Sequence, residues 1–223
     1  GWHVVTGTVN KEGLIGIAGG KTLNLILCEG ATLNLQKTLY LMGGATLNIY
    51  GQNGGTGTLI VKGTAGVRQP GIGIMHNAGA GGSASVNIYG GTVTAQTDNG
   101  AQPIGTNPEL MPYGNVTVTI AKGLKCVKTD DQNTAYAYDN TDGTSITITK
   151  CTEHKWSYTN ITNDTHDRTC DLCGTAETGV AHTTARYQYI RADIHRLICA
   201  CGKGYSTEYH TCLLYTSPSP RDS

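Results

Sequence analysis

The sequence predicts a mainly β protein, in which a parallel, right-handed β-helix (a β-solenoid) is followed by small, irregular His/Cys metal-knuckle repeats. Short runs that alternate apolar with polar residues recur through residues 1–150, and their sequences are similar to one another. The composition then changes. Residues 1–150 contain 27 of the 31 glycines, whereas residues 151–212 contain six of the eight cysteines and five of the seven histidines. We therefore place a domain boundary near Lys150.

Each alternating run has Leu, Ile or Val on one side and Thr, Asn or Ser on the other, which predicts a β-strand. Turns rich in Gly, Asn and Asp separate the runs, and none of them has a helical period. The predicted strands are TLNLIL (22–27), ATLNL (31–35), TLYL (38–41), ATLNI (45–49), TLIV (58–61), SVNI (85–88), TVTA (92–95), NVTVTI (115–120) and SITIT (145–149).

The similarity of these sequences favours stacked β-rungs, in which each turn of a coil lies on the turn before it. The segments GTLIVKG, GIG and SVNIYGG align with GTVTAQT, PIG and NVTVTI at a period near thirty residues. A narrow coil suits small and β-branched side chains, and the chain contains no Phe. Recurrent asparagines in a T/S-L/V-N-L/I context are expected to form ladders between rungs: Asn24, Asn34, Asn48 and Asn87. A β-sandwich also uses many short strands and is the alternative, but it explains the repetition less well.

Charge and length restrict the classes of partner. The 16 basic and 16 acidic residues give a formal charge of zero, so we expect no nucleic acid partner. No run reaches the length of a membrane span. The chain starts at Gly1 without a signal peptide, which is expected of a mature form or a fragment.

Catalysis by the solenoid would require clustered carboxylates, or a calcium site with a nearby base. Four of its eight acids fall in VKTDDQNTAYAYDNTDG, which is typical of a polar turn. Asp130 and Asp131 are neighbours and would point to opposite faces of a strand. We therefore expect no enzyme, and a polysaccharide lyase or hydrolase is the third-ranked interpretation. The eight acids are Glu12, Glu29, Asp98, Glu109, Asp130, Asp131, Asp139 and Asp142.

Four tyrosines of the solenoid are candidates for stacking on sugar rings: Tyr40, Tyr50, Tyr89 and Tyr113. Tyr50 and Tyr89 each lie in a copy of the motif NIYG, so they are expected one or more rungs apart. These two tyrosines are the candidate glycan contacts. The alternative is that these rings cover the flank of the solenoid.

The His/Cys region consists of two units in the same order. The first reads His154-x11-His166-x3-Cys170-x2-Cys173-Gly, and the second reads His182-x12-His195-x3-Cys199-x1-Cys201-Gly. The period is 28 to 29 residues. These eight residues are the predicted metal ligands, because a Cys-x2-Cys turn and two histidines form a four-coordinate set that suits structural zinc. The glycine after each cysteine pair permits a tight turn.

Three features leave alternatives open. A disulfide framework is plausible in a secreted protein but does not explain five histidines in register with the cysteine pairs. The second unit has Cys-x-Cys, which strains chelation. Cys151 lies outside the repeat and is a candidate to replace His154 or His166 as a ligand.

Residues 2–120 contain the segments TLNIYGQNGGTGTLIV and VNIYGGTVTA, and their glycine loops read GIGIMHN and PIGTNPEL. The two segments resemble the β-helical repeat regions of large secreted surface proteins from anaerobic gut bacteria, whereas the glycine loops diverge from that pattern. Residues 151–210 resemble the short His/Cys modules of the same class of proteins, through C-x2-H-x-W-x-Y-T, H-x3-C-x2-C-G and the following His. The resemblance implies zinc-ribbon-like spacers and carries no catalytic role.

The last residues, CLLYTSPSPRDS, resemble one translated frame of a common transposon-type sequencing adapter from Cys212 to Asp222. We therefore expect the natural sequence to end at or near Thr211 and exclude Cys212 from the ligands. Residues 212–223 are then a non-native tail, and residues 151–211 hold two modules and the start of a third at His210.

Together these features predict a fragment of an extracellular, repeat-containing surface protein with a structural or adhesive role. The alternative is a carbohydrate-binding β-helix module, whose partners would be polysaccharides or cell-surface glycans. The one cofactor expected is structural zinc.

Overall fold

The structure is a computed structural model that describes residues 1–64, 69–74, 82–97, 101–106, 114–128, 135–136 and 145–209. About 60% of these residues lie in β-strands, and none of them lies in a helix. Accordingly, none of them forms a helix that is long and apolar enough to cross a membrane. The chain divides into two compact units: Gly1–Lys155 with Asp171–Gly174, and Trp156–Cys170 with Thr175–Ser223.

The first unit contains strands β1 to β16. In chain order they are β1 (Trp2–Val5), β2 (Thr8–Lys11), β3 (Ile15–Ile17), β4 (Thr22–Leu27), β5 (Thr32–Leu35), β6 (Leu39–Leu41), β7 (Thr46–Gly51), β8 (Thr58–Lys62), β9 (Ile72–Ile74), β10 (Ala84–Ile88), β11 (Thr92–Gln96), β12 (Ile104–Thr106), β13 (Val116–Ile120), β14 (Leu124–Lys128), β15 (Ala135–Tyr136) and β16 (Ser145–Lys150).

Strands three apart in the chain pair in parallel and build three sheets. Their orders are β1-β4-β7-β10-β13, β2-β5-β8-β11 and β3-β6-β9-β12. The register pairs residues at equivalent positions of the sequence repeats: Leu23 lies opposite Leu47, and Gly73 lies opposite Gly105. All nine predicted strands are present, and the alignment of the two longer repeats is confirmed.

The predicted asparagine ladder is also confirmed. The side-chain amide of Asn48 donates to Asn24 Oδ1 at 2.7 Å, and that of Asn87 donates to Asn48 Oδ1 at 2.9 Å. Asn34 belongs to a separate pair, in which it donates to Asn10 at 3.2 Å. Side chains as well as the backbone therefore join β4 to β7, β7 to β10 and β2 to β5.

The apolar side chains of all three sheets face one shared core. Leu27, Leu41, Leu47, Ile49 and Leu59 have no solvent exposure. Burying each such side chain stabilises the fold by about 1.5–3 kcal/mol. The interior is therefore the main source of stability in this unit.

Parallel pairing ends after β13. The predicted strand SITIT forms β16 but lies antiparallel to both β11 and β14. The last part of this unit thus departs from the parallel pattern that the sequence predicts.

The second unit consists of two antiparallel three-stranded sheets. One contains β17 (Trp156–Thr159), β18 (Thr165–Cys170) and β19 (Ala176–Ala181), and the other contains β20 (Thr184–Arg191), β21 (Ile194–Cys199) and β22 (Gly204–Tyr209). Among its described residues, the only buried aliphatic side chains are Ile194 and Ile198. Every residue of β20 is exposed. This unit has little apolar core with which to hold its two sheets together.

Candidate metal centres

Two groups of histidines and cysteines place their donor atoms close enough together to hold a metal ion. The first group is Cys151, His154, Cys170 and Cys173, and the second is His166, His182, Cys199 and Cys201. In each group all four donor atoms lie within 4.8 Å of one another.

All four residues of the second group belong to the second unit, and the strands of that unit determine where they lie. His166 is the second residue of β18, the central strand of its sheet, and His182 follows the end of β19. Cys199 is the last residue of β21, and Cys201 lies in the turn before β22. Each sheet of the unit therefore contributes two donors.

The turn that carries the two cysteines depends on a glycine. Gly202 has a φ of 87°, and its N–H donates to the carbonyl of Cys199 at 2.9 Å. Gly174, which follows the other cysteine pair, has a φ of 67°. Such positive φ values suit glycine, so the predicted tight turns are confirmed.

The donor atoms of the second group lie close to one another around a shared centre. The Nδ1 atoms of His166 and His182 are 3.3 Å apart, and Cys201 Sγ is 3.6 Å from His182 Nδ1. Cys199 Sγ is 4.0 Å from His166 Nδ1.

One histidine of this group is oriented by a carbonyl group. His182 Nε2 lies 3.3 Å from the carbonyl oxygen of Thr162, which can only accept a hydrogen bond. In a neutral ring Nε2 then carries the proton, and Nδ1 presents its lone pair to the group. His166 Nε2 is buried without a hydrogen-bond partner, and Tyr158 packs edge-on against that ring at a centroid distance of 5.0 Å.

The surroundings favour the metal-binding forms of His166 and Cys199 and oppose that of Cys201. Burial, and next the nearby His182, lower the pKa of His166, so its imidazole is neutral at neutral pH. Burial opposes ionisation of the Cys199 thiol, but hydrogen bonding, first of all from the Cys201 backbone, lowers its pKa to about 7. Burial raises the pKa of Cys201. Cys199 is therefore the first thiolate of the pair to form.

The first group is centred on His154. Its Nδ1 lies 3.6 Å from Cys151 Sγ and 3.5 Å from Cys173 Sγ. These three residues belong to the first unit. Cys170 completes the group and directly precedes Asp171 of that unit in the chain.

The structure groups the predicted ligands differently from the order of the sequence repeat. His166 lies with the second cysteine pair, and Cys151 takes its place beside the first pair. The physical reason is strand geometry. His166 and Cys170 are four residues apart on β18, and a strand rises about 3.3 Å per residue, so they are about 13 Å apart along the strand.

His195 lies outside both groups for the same reason, because β21 also contains Cys199. Its Nε2 lies 2.9 Å from Glu208 Oε2, and its ring packs edge-on against Tyr187 at 4.6 Å. The sequence signal for the observed grouping is an interval of 19 residues, which separates His154 from Cys173 and His182 from Cys201.

None of the seven cysteines in the described residues forms a disulfide bond; they are Cys28, Cys126, Cys151, Cys170, Cys173, Cys199 and Cys201. Cys212 and His210 lie outside the described residues, as does the rest of the adapter-like tail.

The candidate glycan contacts form an aromatic stack. The Tyr50 ring lies 5.5 Å from the Trp2 ring and 5.0 Å from the Tyr89 ring, with both pairs stacked. Trp2 belongs to β1, Tyr50 to β7, and Tyr89 follows β10, so Tyr50 lies between the other two. Both faces of Tyr50 are therefore covered by protein. Trp2 is 63% exposed and Tyr89 is 49% exposed.

The remaining candidates for chemistry on sugars are structural or lie outside the described residues. The Tyr40 ring covers Gly16 closely enough to leave no room for a Cβ there. Glu29 Oε1 accepts a hydrogen bond of 2.6 Å from the Gly54 N–H, and Glu12 is exposed. Outside the described residues lie Tyr113, Asp98, Glu109, Asp130, Asp131, Asp139 and Asp142.

No family model, curated protein or solved structure matches this chain.

Proposed function

We propose that the chain is a structural segment of an extracellular, repeat-containing surface protein: a right-handed β-helix followed by small modules that structural zinc ions hold together. The role is to build and present a rigid element outside the cell. The extracellular location rests on the sequence resemblance. The structural role rests on the two groups of donors, because each supplies four protein ligands and leaves no position for a substrate.

The pairing of the parallel strands supports a β-helix. Strands three apart in the chain are neighbours in each of the three sheets, which is the connectivity of a coil with three strands per turn. Crossovers between parallel strands of one sheet are right-handed in about 98% of cases, which favours the right-handed coil.

The donor distances support zinc. Zn–N bonds of about 2.0–2.1 Å and Zn–S bonds of about 2.3 Å place tetrahedral ligands about 3.4 Å apart for two nitrogens and about 3.6 Å apart for nitrogen and sulfur. The second group has 3.3 Å between its nitrogens and 3.6 Å between Cys201 Sγ and His182 Nδ1. The first group has 3.5 and 3.6 Å between nitrogen and sulfur. Of these five distances, only the 4.0 Å between Cys199 Sγ and His166 Nδ1 requires the two atoms to move slightly closer.

The second unit has little apolar core, so a zinc ion would supply stability that the packing of side chains does not. Binding of a structural zinc ion supplies folding free energy directly to small domains that have little core. In the second group one ion would connect β18 of one sheet with β21 of the other, because each sheet supplies two donors.

The test is the metal content of the purified full chain. We expect two zinc ions per chain, and Co²⁺ substitution should produce the absorption of tetrahedral cobalt thiolate. His166→Ala should lose one ion, whereas His3→Ala, which changes an exposed histidine of β1 outside both groups, should retain two. A folded, metal-free chain with disulfide-bonded cysteines would rule out the proposal.

A carbohydrate-binding role is the second candidate, and the exposure of Trp2 and Tyr89 at the ends of the aromatic stack is the observation that favours it. Their outward faces are the surfaces on which a sugar ring could stack. Binding of the chain on a glycan array that is lost in Trp2→Ala and Tyr89→Ala, but kept in Tyr209→Ala, would support this role. If the chain bound no glycan on the array, those glycans would be excluded as its ligands.

A further inference from the structure

The second group of donors shows how neighbouring modules share a site. Two of its histidines flank the first cysteine pair in the sequence, and its two cysteines form the second pair. A module thus contributes histidines to the site that the cysteine turn of the next module completes.

His195 occupies the position in the last described sheet that His166 occupies in the preceding one. Each is the second residue of the central strand of its sheet, four residues before the cysteine that ends that strand. His166 lies opposite Val180 in the neighbouring strand, and His195 lies opposite Glu208, which is 28 residues after Val180.

The sequence repeats the second histidine as well. His182 follows Val180 by two residues, and His210 follows Glu208 by two residues. His210 lies outside the described residues.

Glu208 orients His195 as a ligand would be oriented. A carboxylate can only accept a hydrogen bond, so His195 Nε2 donates to Glu208 Oε2 at 2.9 Å. In the neutral ring Nδ1 then presents its lone pair, and Nδ1 is the atom through which His166 enters its own group. Histidines that bind metals commonly donate their other N–H to a carboxylate in this way.

We infer that His195 is a ligand of a third zinc site, which the cysteine turn of a further module of the same kind completes. The partner surface is the face of β21 that carries His195, and the partner is a Cys-x1–2-Cys-Gly turn. Successive modules would then be joined by one shared ion at each junction. This inference rests on the proposed zinc-binding function.

The test extends the full chain by one module. Residues 211–223 are replaced with a second copy of residues 183–209, so that the copied cysteine turn follows His210 at the spacing at which Cys199 and Cys201 follow His182. We expect three zinc ions per extended chain and two per original chain.

Variants of the extended chain identify the ligand. His195→Ala should return the count to two ions, and His3→Ala should leave it at three. Glu208→Ala should weaken binding of the third ion by about 10–100-fold, because the carboxylate positions the imidazole.

A second measurement does not need the added copy to fold. A synthetic peptide with the sequence of residues 196–204 is mixed with the zinc-loaded original chain and one further equivalent of zinc. Zinc-dependent capture of the peptide that is lost in His195→Ala supports the inference.

The outcomes separate the two proposals. Two ions in both the original and the extended chain, with no capture of the peptide, would overturn the third site and leave the proposed function intact. A third ion that persists in His195→Ala would also overturn it. An original chain that binds no zinc would end the proposed function itself.

Discussion

Removing the metal should unfold the second unit and leave the first unit folded. The two buried aliphatic side chains among the described residues of the second unit, Ile194 and Ile198, contribute about 3–6 kcal/mol together. A structural zinc ion contributes about 10–16 kcal/mol to the folding of small peptides at pH 7. The metal is therefore the larger of the two sources of stability in this unit. The first unit has its own large apolar core and should therefore stay folded without metal.

Hydrogen exchange measured by mass spectrometry distinguishes the two units. In excess EDTA, amides of β18 and β21 should exchange at the rate of unfolded chain, whereas amides of β4 and β7 should remain protected. Restoring zinc should restore protection, and adding Mg²⁺ should not. If β18 and β21 stayed protected in a chain shown to be free of metal, the reasoning about the second unit would be refuted.

Three further outcomes follow from the geometry. Leu47→Ala, which truncates a fully buried side chain, should reduce the free energy of unfolding of the first unit by about 2–5 kcal/mol, whereas Leu14→Ala, at a half-exposed position, should change it far less in the same denaturant titration. Asn48→Ala removes both hydrogen bonds of the central ladder residue and should cost about 1–3 kcal/mol by thermal unfolding, against a small change for the exposed turn residue Asn53; equal effects would contradict a stabilising ladder. Zinc affinity of the second group should fall about tenfold per pH unit near pH 8, where mainly the Cys201 thiol must lose a proton. The fall should steepen below pH 7, toward about a hundredfold per unit, because Cys199 must then lose a proton too; a pH-independent affinity would exclude thiolate ligands.

The strands of the first unit could be predicted because each sequence repeat is also a structural repeat. Leu23 and Leu47 occur in the same phrase and lie opposite each other, since a parallel register puts equivalent positions side by side. The antiparallel direction of β16 could not be predicted from its own residues. Its alternating pattern is the same in either direction, and its neighbours decide how it pairs.

The residue types and the four-donor sets of the candidate metal groups were also accessible from the sequence, but the grouping was not. Order along the chain places His166 beside Cys170, whereas an extended strand separates them by about 13 Å. Once β18 and β21 are recognised as strands, neither His166 nor His195 can share an ion with the cysteine that ends its own strand. Cys151 then supplies the remaining donor of the first group.

Zinc K-edge X-ray absorption of the zinc-loaded full chain shows directly which atoms bind the metal. The two groups contain five sulfur and three nitrogen donors over two ions. We therefore expect a mean first shell of about 2.5 sulfurs at about 2.3 Å and about 1.5 nitrogens at about 2.0–2.1 Å. Cys151→His should shift this ratio to equal numbers of sulfur and nitrogen. A shell of light atoms without sulfur, or a ratio that Cys151→His leaves unchanged, would rule out zinc binding by these two groups.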